Sequence, residues 1–593
     1  MTPPEAVLRL RRSARELDPR ALTAGRDLVL DVSIEQGTSV PIGVLIDDHL
    51  DLAAREAVDQ AAHEMIAAWR RRVDPPLTIG AICLADVWHS ELYAEVFLPV
   101  ARIMAGVKAA AAAVGPGELV CGGLDVELVA ALRAELGRIA VSAVTIGSPP
   151  TYPTEDAAPP AIAARQPGWQ RRLRRTIEEL GLPTVAWGDV LVLPYLSTLP
   201  VLARLTSDEH LRPVLHLGAV PDLALAVKTA RTGGWLGLPG FAARRRGRAE
   251  TRQALKAAAG LGPDAPGAAR LAHVRAIECL AARALETTSV ARCVQRAFGK
   301  RALRAVLLPF DHEPVPKTII RLAQHAGVPT LFVQHGYEPY PVFHTGAVAD
   351  FAAVWSAADQ DAFPSERRAN VRVVGNPRIA PGARAHRPIG LHAQRPPGRA
   401  PVAIVLAEHV ARASSILDRR ITAMHLRAAL EGLRASSRDW QIVVRPHPVD
   451  DAGEFERLVA ALGGEGVEVD GHSPAGELLS CADLCVGALS TMTLEAALAG
   501  VRVVMLNPQG VDWAPPLHAG SAVPTARDGP SLARAVDAAM AAADAPGAAQ
   551  LIEALGGAID DPAGQIVDWL NEIIGRRRLN RRRFHARGSR ARA

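Results

Sequence analysis

Aromatic side chains are scarce in this chain: phenylalanine, tryptophan and tyrosine together make up 4% of its 593 residues. Where positive charge gathers, at 576–593, aromatics are not interleaved with it. The stacking platform of a nucleic-acid binder is therefore missing, and no nucleic-acid partner is expected. Cysteine is sparse too. Cys83, Cys121, Cys279, Cys293, Cys481 and Cys485 show no metal-ligand spacing, so no metal site is expected. Cys481 and Cys485 lie in an apolar passage and read as buried free thiols. Nothing requires a disulfide, which fits a reducing cytoplasm. Residues 1–20 lack the charged-then-apolar order of a signal peptide. No window offers the roughly 18 uncharged apolar residues of a membrane span. The expectation is a cytoplasmic protein, at most peripheral on the inner face of the cell membrane.

What the chain does have is apolar bulk, 49% of residues, enough for sizeable cores. At about 100–200 residues per domain its length suggests three or so lobes. The net charge of +5 is unevenly placed, with RRR occurring twice after residue 575. That basic tail, 576–593, reads as disordered and suited to anionic lipid, at about 1 kcal/mol per residue near the surface.

In chain order, residues 28–32 read as a strand and 52–72 as an amphipathic helix. Asp47-Asp48-His49 has metal-ligand residue types but reads as a solvated turn without a role. From 77 to 144 the pattern is α/β: helix 91–113, strand 118–121 running into Gly122-Gly123, helix 126–136, strand 139–144. Residues 151–168 form a connecting loop rich in Pro, Ala and Thr. Short apolar strands resume at 184–217. Arg244 to Arg248 reads as a solvated basic loop, and 268–298 as helix. Strand 305–309 ends in Phe310-Asp311-His312-Glu313-Pro314, and helix 317–325 follows. Strand 329–333 ends in Gln334-His335-Gly336-Tyr337, whose glycine permits a tight turn beside a ligand. Strands at 350–355 and 371–374 lead to Gly375-Asn376-Pro377-Arg378. Residues 379–400, rich in Pro, Arg and Gly, form an interdomain linker.

The densest signal runs from 440 to 508. Residues 441–444, 467–469, 484–486 and 501–506 are short apolar runs rich in β-branched residues. Helix-period segments separate them, the pattern of a parallel α/β sheet. Polar residues gather just past each run: Arg445-Pro446-His447-Pro448, then His472-Ser473, then Gly487 to Thr491. In open α/β sheets that edge is where ligands bind. Ser490 and Thr491 open a helix whose free N–H groups and dipole favour an anion by roughly 0.3–1 kcal/mol. Glu495, about one turn further in, is placed to accept hydrogen bonds from a ribose diol. Arg445 and His447 flank a proline, so a rigid backbone aims both at phosphate oxygens. Taken singly, Ser490 reads equally as an ordinary N-cap and His447 as a loop histidine.

RPHP followed by SPAGELLSCADLCVGALSTMTLEAALAGVRVV resembles the nucleotide-binding domain of bacterial GT-B glycosyltransferases that build capsules and other surface polymers. The HP motif is similar to that of polysialyltransferases, β-Kdo capsule transferases and teichoic-acid glycerophosphate polymerases. The S-T-x-x-x-E-A-x-x-x-G run is also similar to UDP-N-acetylglucosamine 2-epimerases. The resemblance implies that Ser490 and Thr491 hold phosphate and that Glu495 holds ribose; with Arg445, His447 and Ser473 they make up the expected donor-binding set. It also implies that His335-Gly336 closes a strand facing the interdomain cleft. In the glycerophosphate polymerases the matching histidine is the base. Tyr337-Glu338-Pro339 departs from their usual threonine-proline-leucine-lysine, which leaves the acceptor type open.

The expectation is therefore an α/β protein of GT-B architecture, two Rossmann-like domains facing a cleft, with an enlarged N-terminal half. Residues 1–378 form that half, with a sub-boundary near 150–170, and 401–575 the nucleotide-binding domain. The expected activity moves a sugar or sugar-like group from a nucleotide-activated donor to an oligosaccharide or lipid-linked surface-polymer precursor. No metal or other cofactor is called for. His335 is the expected base, its ordinary pKa lying near working pH. Asp311 and Glu313 are the alternatives. A nucleotide-sugar 2-epimerase, or a non-catalytic scaffold of the same fold, are the other readings.

Overall fold

Runs such as Val-Ala-Ile-Val-Leu at 402–406 and Thr-Leu-Phe-Val at 330–333 are buried at every position, as strands of a sheet covered on both faces must be. They belong to a computed structural model that describes residues 7–13, 23, 26–31, 42–122, 124–137, 139–144, 185–186, 188–216, 234–236, 239–300, 303–336, 348–379, 400–406, 420–448, 450–488, 490–510, 522–554, 556–557 and 559–590. The connecting loop expected at 151–168, most of the linker, and Tyr337-Glu338-Pro339 lie outside these residues.

Three large sheets organise the chain. The first is parallel, in the order β2-β1-β3-β4, from β1 (Val7–Ser13), β2 (Asp27–Asp31), β3 (Glu118–Gly122) and β4 (Ala140–Val144). The second comprises β5 (Val185–Ala186), β6 (Val190–Val192), β7 (Pro213–His216), β8 (Gly234–Leu236), β9 (Ala305–Leu308), β10 (Thr330–Val333), β11 (Phe351–Val354) and β12 (Val371–Val373). Its order is β12-β11-β10-β9-β6-β7-β8-β5, parallel except for the β8–β5 pair. The third comprises β13 (Val402–Leu406), β14 (Gln441–Arg445), β15 (Glu468–Val469), β16 (Leu484–Gly487), β17 (Arg502–Leu506) and β18 (Thr525–Ala526). Its order is β15-β14-β13-β16-β17-β18, parallel throughout. The sequence reading of this third sheet holds for its first five strands, and the edge strand β18 falls in a stretch that reads as loop.

The helices used below are α1 (Leu52–Leu77), α2 (Leu84–Val87), α3 (His89–Leu92), α4 (Leu98–Val114), α5 (Val126–Leu136), α6 (Leu199–Ser207), α7 (Phe241–Ala259), α8 (Ala268–Arg283), α9 (Thr287–Lys300), α10 (Pro314–His325), α11 (Ile421–Ala435), α12 (Thr491–Leu498), α13 (Gly529–Ala541) and α14 (Pro562–Arg590). A π-helical turn, Tyr93–Phe97, joins α3 to α4. The run His89–Val114 is long and apolar enough to cross a membrane by length and composition, but 67% of its apolar window is buried in the protein. It packs in the core of the first lobe beside Trp69 and Leu8.

The enlarged N-terminal half thus holds two sheets, on either side of 145–184. They are not independent, because one continuous core joins Leu8, Leu28 and Phe97 of the first lobe to Val306, Phe332 and Val354 of the second sheet. The opposite face of the second sheet is covered by α6 and α14. Ile566, Trp569, Leu570 and Ile573 pack on Val190, Val192, Val201 and Leu202. Arg372 pairs with Glu572 (2.9 Å) and Arg204 with Asp561 (2.7 Å), so the chain's last helix returns from the third sheet to the second.

Four expectations are corrected. Arg244 to Arg248 is not a loop but part of α7. Its glycine misleads: a Cβ on Gly247 would come within 2.2 Å of Ser289 Oγ, so Gly247 serves the close approach of α9 to α7 rather than a turn. Asp47-Asp48-His49 is not a solvated turn. Asp47 pairs with Arg102 at 2.7 Å, and Asp48 pairs with Arg420 at the start of α11. Cys481 is exposed, because it falls on the outer side of the last turn of a short helix, while Cys485 in β16 is buried. The backbone of the basic tail continues α14 as far as Arg590, where disorder was expected. Arginine has high helix propensity, and Glu572–Arg576 is an i,i+4 pair that favours propagation.

Candidate functional site

In the second sheet the strand order reverses between β6 and β9, and in the third between β13 and β16. At such switch points the loops leaving the carboxyl ends of neighbouring strands part and open a crevice. The two switch points lie close together. A Cβ placed on Gly336, just past β10, would lie 3.4 Å from Thr491 Oγ1 at the start of α12. Arg378, past β12, reaches Glu495 of α12 at 2.8 Å. Trp355, past β11 and fully buried, inserts among Ile404, Leu406, Leu494 and Met505 of the nucleotide-side core. Its indole N–H donates to Gln334 O at 3.1 Å, and Gln334 Nε2 donates to Gly336 O at 3.1 Å. This network fixes the His335-Gly336 turn against the third sheet.

On the N-terminal side, Tyr195 follows β6, and Phe310, His312 and Glu313 follow β9, so all four stand at the switch point. Their rings gather around His335: Phe310 at 4.2 Å between centroids and Tyr195 at 5.7 Å. Burial, then His312 and Arg378, push the His335 imidazole down to about 3, with a hydrogen bond to the Pro309 backbone opposing. The ordinary histidine pKa expected from sequence is therefore corrected: in this environment His335 is neutral at working pH. Glu313 keeps an exposed side chain, yet enough protein surrounds it for burial to raise its pKa. Asp311 is a different case. It is 2% exposed and accepts hydrogen bonds from Val348 N (2.8 Å) and Ala349 N (3.4 Å). Its carboxylate ties the chain entering β11, so it is withdrawn as an alternative base.

On the nucleotide side, Ser490 is the N-cap of α12, its Oγ accepting from Thr493 N at 3.3 Å. The plain reading of Ser490 is thereby correct, and the anion-binding capacity belongs to the helix start with Thr491. Glu495 is raised by burial, an effect Arg378 opposes. Arg445 turns towards the end of β15, donating to Asp470 O at 2.8 Å. Asp470 also accepts from the backbone N–H of His472 and Ser473, each at 2.8 Å. Ser473 thus belongs to the turn that holds Arg445. His447 is exposed, with its backbone N–H on Asp450 at 3.2 Å.

Sequence reasoning quoted Arg378 but gave it no role. It is the cation that faces His335, Tyr195 and Glu495 together. Its only sequence signal is its place after Gly-Asn-Pro at the crossing between domains. Replacing Ser490 by alanine is expected to cost about 0.5–2 kcal/mol of stability through the lost cap, read by denaturant unfolding. Equal stability of the variant would remove the capping role.

Two doubly wound parallel sheets with opposed switch points, and a last helix that returns to the first of them, define the GT-B architecture. No protein-family profile and no curated protein matches the chain. Solved structures similar to it include UDP-GlcNAc 2-epimerase from Neisseria meningitidis bound to UDP-GlcNAc, at 12% identity over 65% of this chain and 100% of that one, TM-score 0.38. A glycosyltransferase from Rickettsia africae is similar at 10% identity over 65% and 98%, TM-score 0.38. The Anabaena protein HepE in complex with UDP-glucose is similar at 13% identity over 66% and 100%, TM-score 0.36.

Proposed function

We propose that the protein transfers a sugar or sugar-like group from a nucleotide-activated donor onto a surface-polymer precursor in the cleft between the second and third sheets. The observation that carries this reading is the meeting of the two switch points, with Gly336 against Thr491. A donor diphosphate takes the N-terminal end of α12, where backbone N–H groups and the helix dipole stabilise the leaving charge. Arg378 swings from Glu495 to the diphosphate, and Glu495 then receives the ribose hydroxyls. His335 faces the acceptor hydroxyl as base.

The depressed pKa of His335 gives this reading an order of events. A dianionic diphosphate arriving beside Arg378 offsets the positive field on the imidazole and raises its pKa. The donor thus readies the base before the acceptor reacts. Glu313, accessible and one strand away, is the alternative base.

A thermal-shift screen of UDP, GDP, CDP and CMP, followed by turnover of the matching donor with and without a sugar acceptor, tests the proposal. Conversion of the nucleotide sugar with no acceptor present would replace the transferase by a 2-epimerase-type isomerase. Binding without any turnover would leave the scaffold reading. The cationic end of α14 is proposed to lend attraction to anionic lipid. Truncation before residue 577 is expected to lower binding to vesicles containing phosphatidylglycerol and to leave nucleotide binding alone; equal vesicle binding would discard the membrane role.

A further inference from the structure

Helix α7 has two faces of different character, and only one of them is used inside the protein. Gly247, Thr251, Ala254, Leu255 and Ala258 are buried, and the last three belong to the core that the first lobe shares with the second sheet. Gly247 admits Ser289 of α9, so the helix is held closely on that side. The outer face is a row of cations. At about 100° per residue, positions 241, 245, 248, 252 and 256 fall within about 80° of one another around the axis. They are Phe241, Arg245, Arg248, Arg252 and Lys256, and all five are exposed. From Arg245 to Lys256 the row runs about 16 Å along the helix.

No acidic side chain stands in that row. Glu250 of the same helix is turned to Arg292 of α9, and Glu286 is taken by Arg248. Arg245, Arg252 and Lys256 pair with no carboxylate among the described residues. Arg248, Arg252 and Lys256 follow one another at intervals of four, a spacing at which like charges on a helix repel. A negative surface laid against the row relieves that repulsion. Both ends of the row are apolar. Phe241, the first residue of α7, is 73% exposed, and Leu261, just past its end, is 43% exposed.

We propose that this face of α7 docks the first lobe on the surface of a membrane that carries anionic lipid. The occupant follows from what the face offers. A protein interface needs a desolvated apolar centre, and two apolar side chains at opposite ends of a cationic row do not supply one. A nucleic acid needs a succession of stacking rings, and the row has one. A lipid surface needs only cations within reach of its headgroups, and it gains from apolar tips that enter the interface. Phe241 and Leu261 are such tips. Docking through α7 stands apart from the transferase reading, and from the lipid role given to α14, which is a separate helix. It gives the additional lobe a task that the two sheets of the cleft do not perform.

The test is flotation of the full chain with vesicles of phosphatidylcholine alone or with about one third phosphatidylglycerol. The wild type is expected to float with the anionic vesicles only, and to be released as salt rises to about 0.5 M. The double variant Arg245→Glu, Arg252→Glu is expected to bind about 10-fold more weakly or worse. Arg438→Glu with Arg534→Glu makes the same change of net charge at exposed positions of the nucleotide-side lobe and is expected to bind as the wild type does. Phe241→Ser is expected to bind about threefold more weakly. All three variants should keep the wild-type Tm and nucleotide binding, since the side chains replaced are exposed. Equal binding by the Arg245 and Arg252 variant, or an equal loss in the control pair, would overturn the docking face, the second by showing that net charge alone acts. Tighter binding of polyglutamate or of an RNA oligonucleotide than of vesicles, lost in the Arg245 and Arg252 variant, would put a macromolecule in place of the lipid and overturn it as well. Truncation before residue 577 is a separate arm. A loss there, with none in the α7 variants, would leave lipid to α14 alone.

Discussion

Replacement of His335 by alanine is expected to lower kcat by about 10²–10⁴-fold while leaving nucleotide affinity close to wild type. The ground is positional: His335 follows β10 on the N-terminal side, and its neighbour Gly336 lies against Thr491 at the helix start proposed to hold the diphosphate. The pH dependence separates this role from a structural one. In the free protein the imidazole stays neutral down to about pH 3. The profile of kcat/KM for the donor, which reports free groups, should therefore show no His335-dependent acidic limb. With donor bound the pKa is raised, so kcat should fall as pH falls through that raised value, because protonation removes the base. The limb in kcat should vanish in the variant. Turnover near wild type would move the role to Glu313, and loss of nucleotide binding would place His335 in the donor pocket.

Asp48→Ala is expected to destabilise the protein by about 3–5 kcal/mol, because it removes the carboxylate from a buried, hydrogen-bonded ion pair. Asp48 carries three bonds of different origin. Its Oδ2 accepts from Gly43 N (2.8 Å) and Leu45 N (3.1 Å), holding the turn before α1, and its Oδ1 meets Arg420 of the nucleotide-side lobe. The two side chains are 4% and 11% exposed, so solvent screens the pair little. Asp48→Asn keeps an acceptor but not the charge and should fall between. A denaturant midpoint for Asp48→Ala unchanged from wild type would show that the first lobe is not latched to the third sheet through this pair. Because the pair joins the first lobe to the start of α11, the variant should also loosen the proposed donor binding, read by the same nucleotide screen.

Much of the third sheet was legible because its information is local. Apolar β-branched runs of four or five residues, separated by helical periods, fix strand type, and parallel strands fix which end carries the polar loops. The donor candidates were legible for the same reason, as each follows its own strand directly. What the sequence left out was of another kind. Ser473 and Arg445 read as separate donor-binding residues, and only the return of β15 beside β14 shows Asp470 engaging both. Asp311 looked like a base until the chain entering β11 came back to claim its carboxylate. Arg244 to Arg248 looked like a loop because glycine was read for its flexibility, when its lack of a side chain was what α9 required.

By itself the sequence determined the α/β class, the helix start at Ser490-Thr491 and the place of His335 at a strand end. These depend on residue periods and turn chemistry, which act over a few positions. Tertiary structure alone decided that the N-terminal half is two sheets on one core, that Asp48 meets Arg420 and that Arg378 meets Glu495. It also decided that His335 has lost its ordinary pKa and that Asp311 is committed to the chain entering β11. Burial and pairing sum contributions from segments hundreds of residues apart, and desolvation depends on all the atoms that surround a group. No local pattern along the chain encodes that sum.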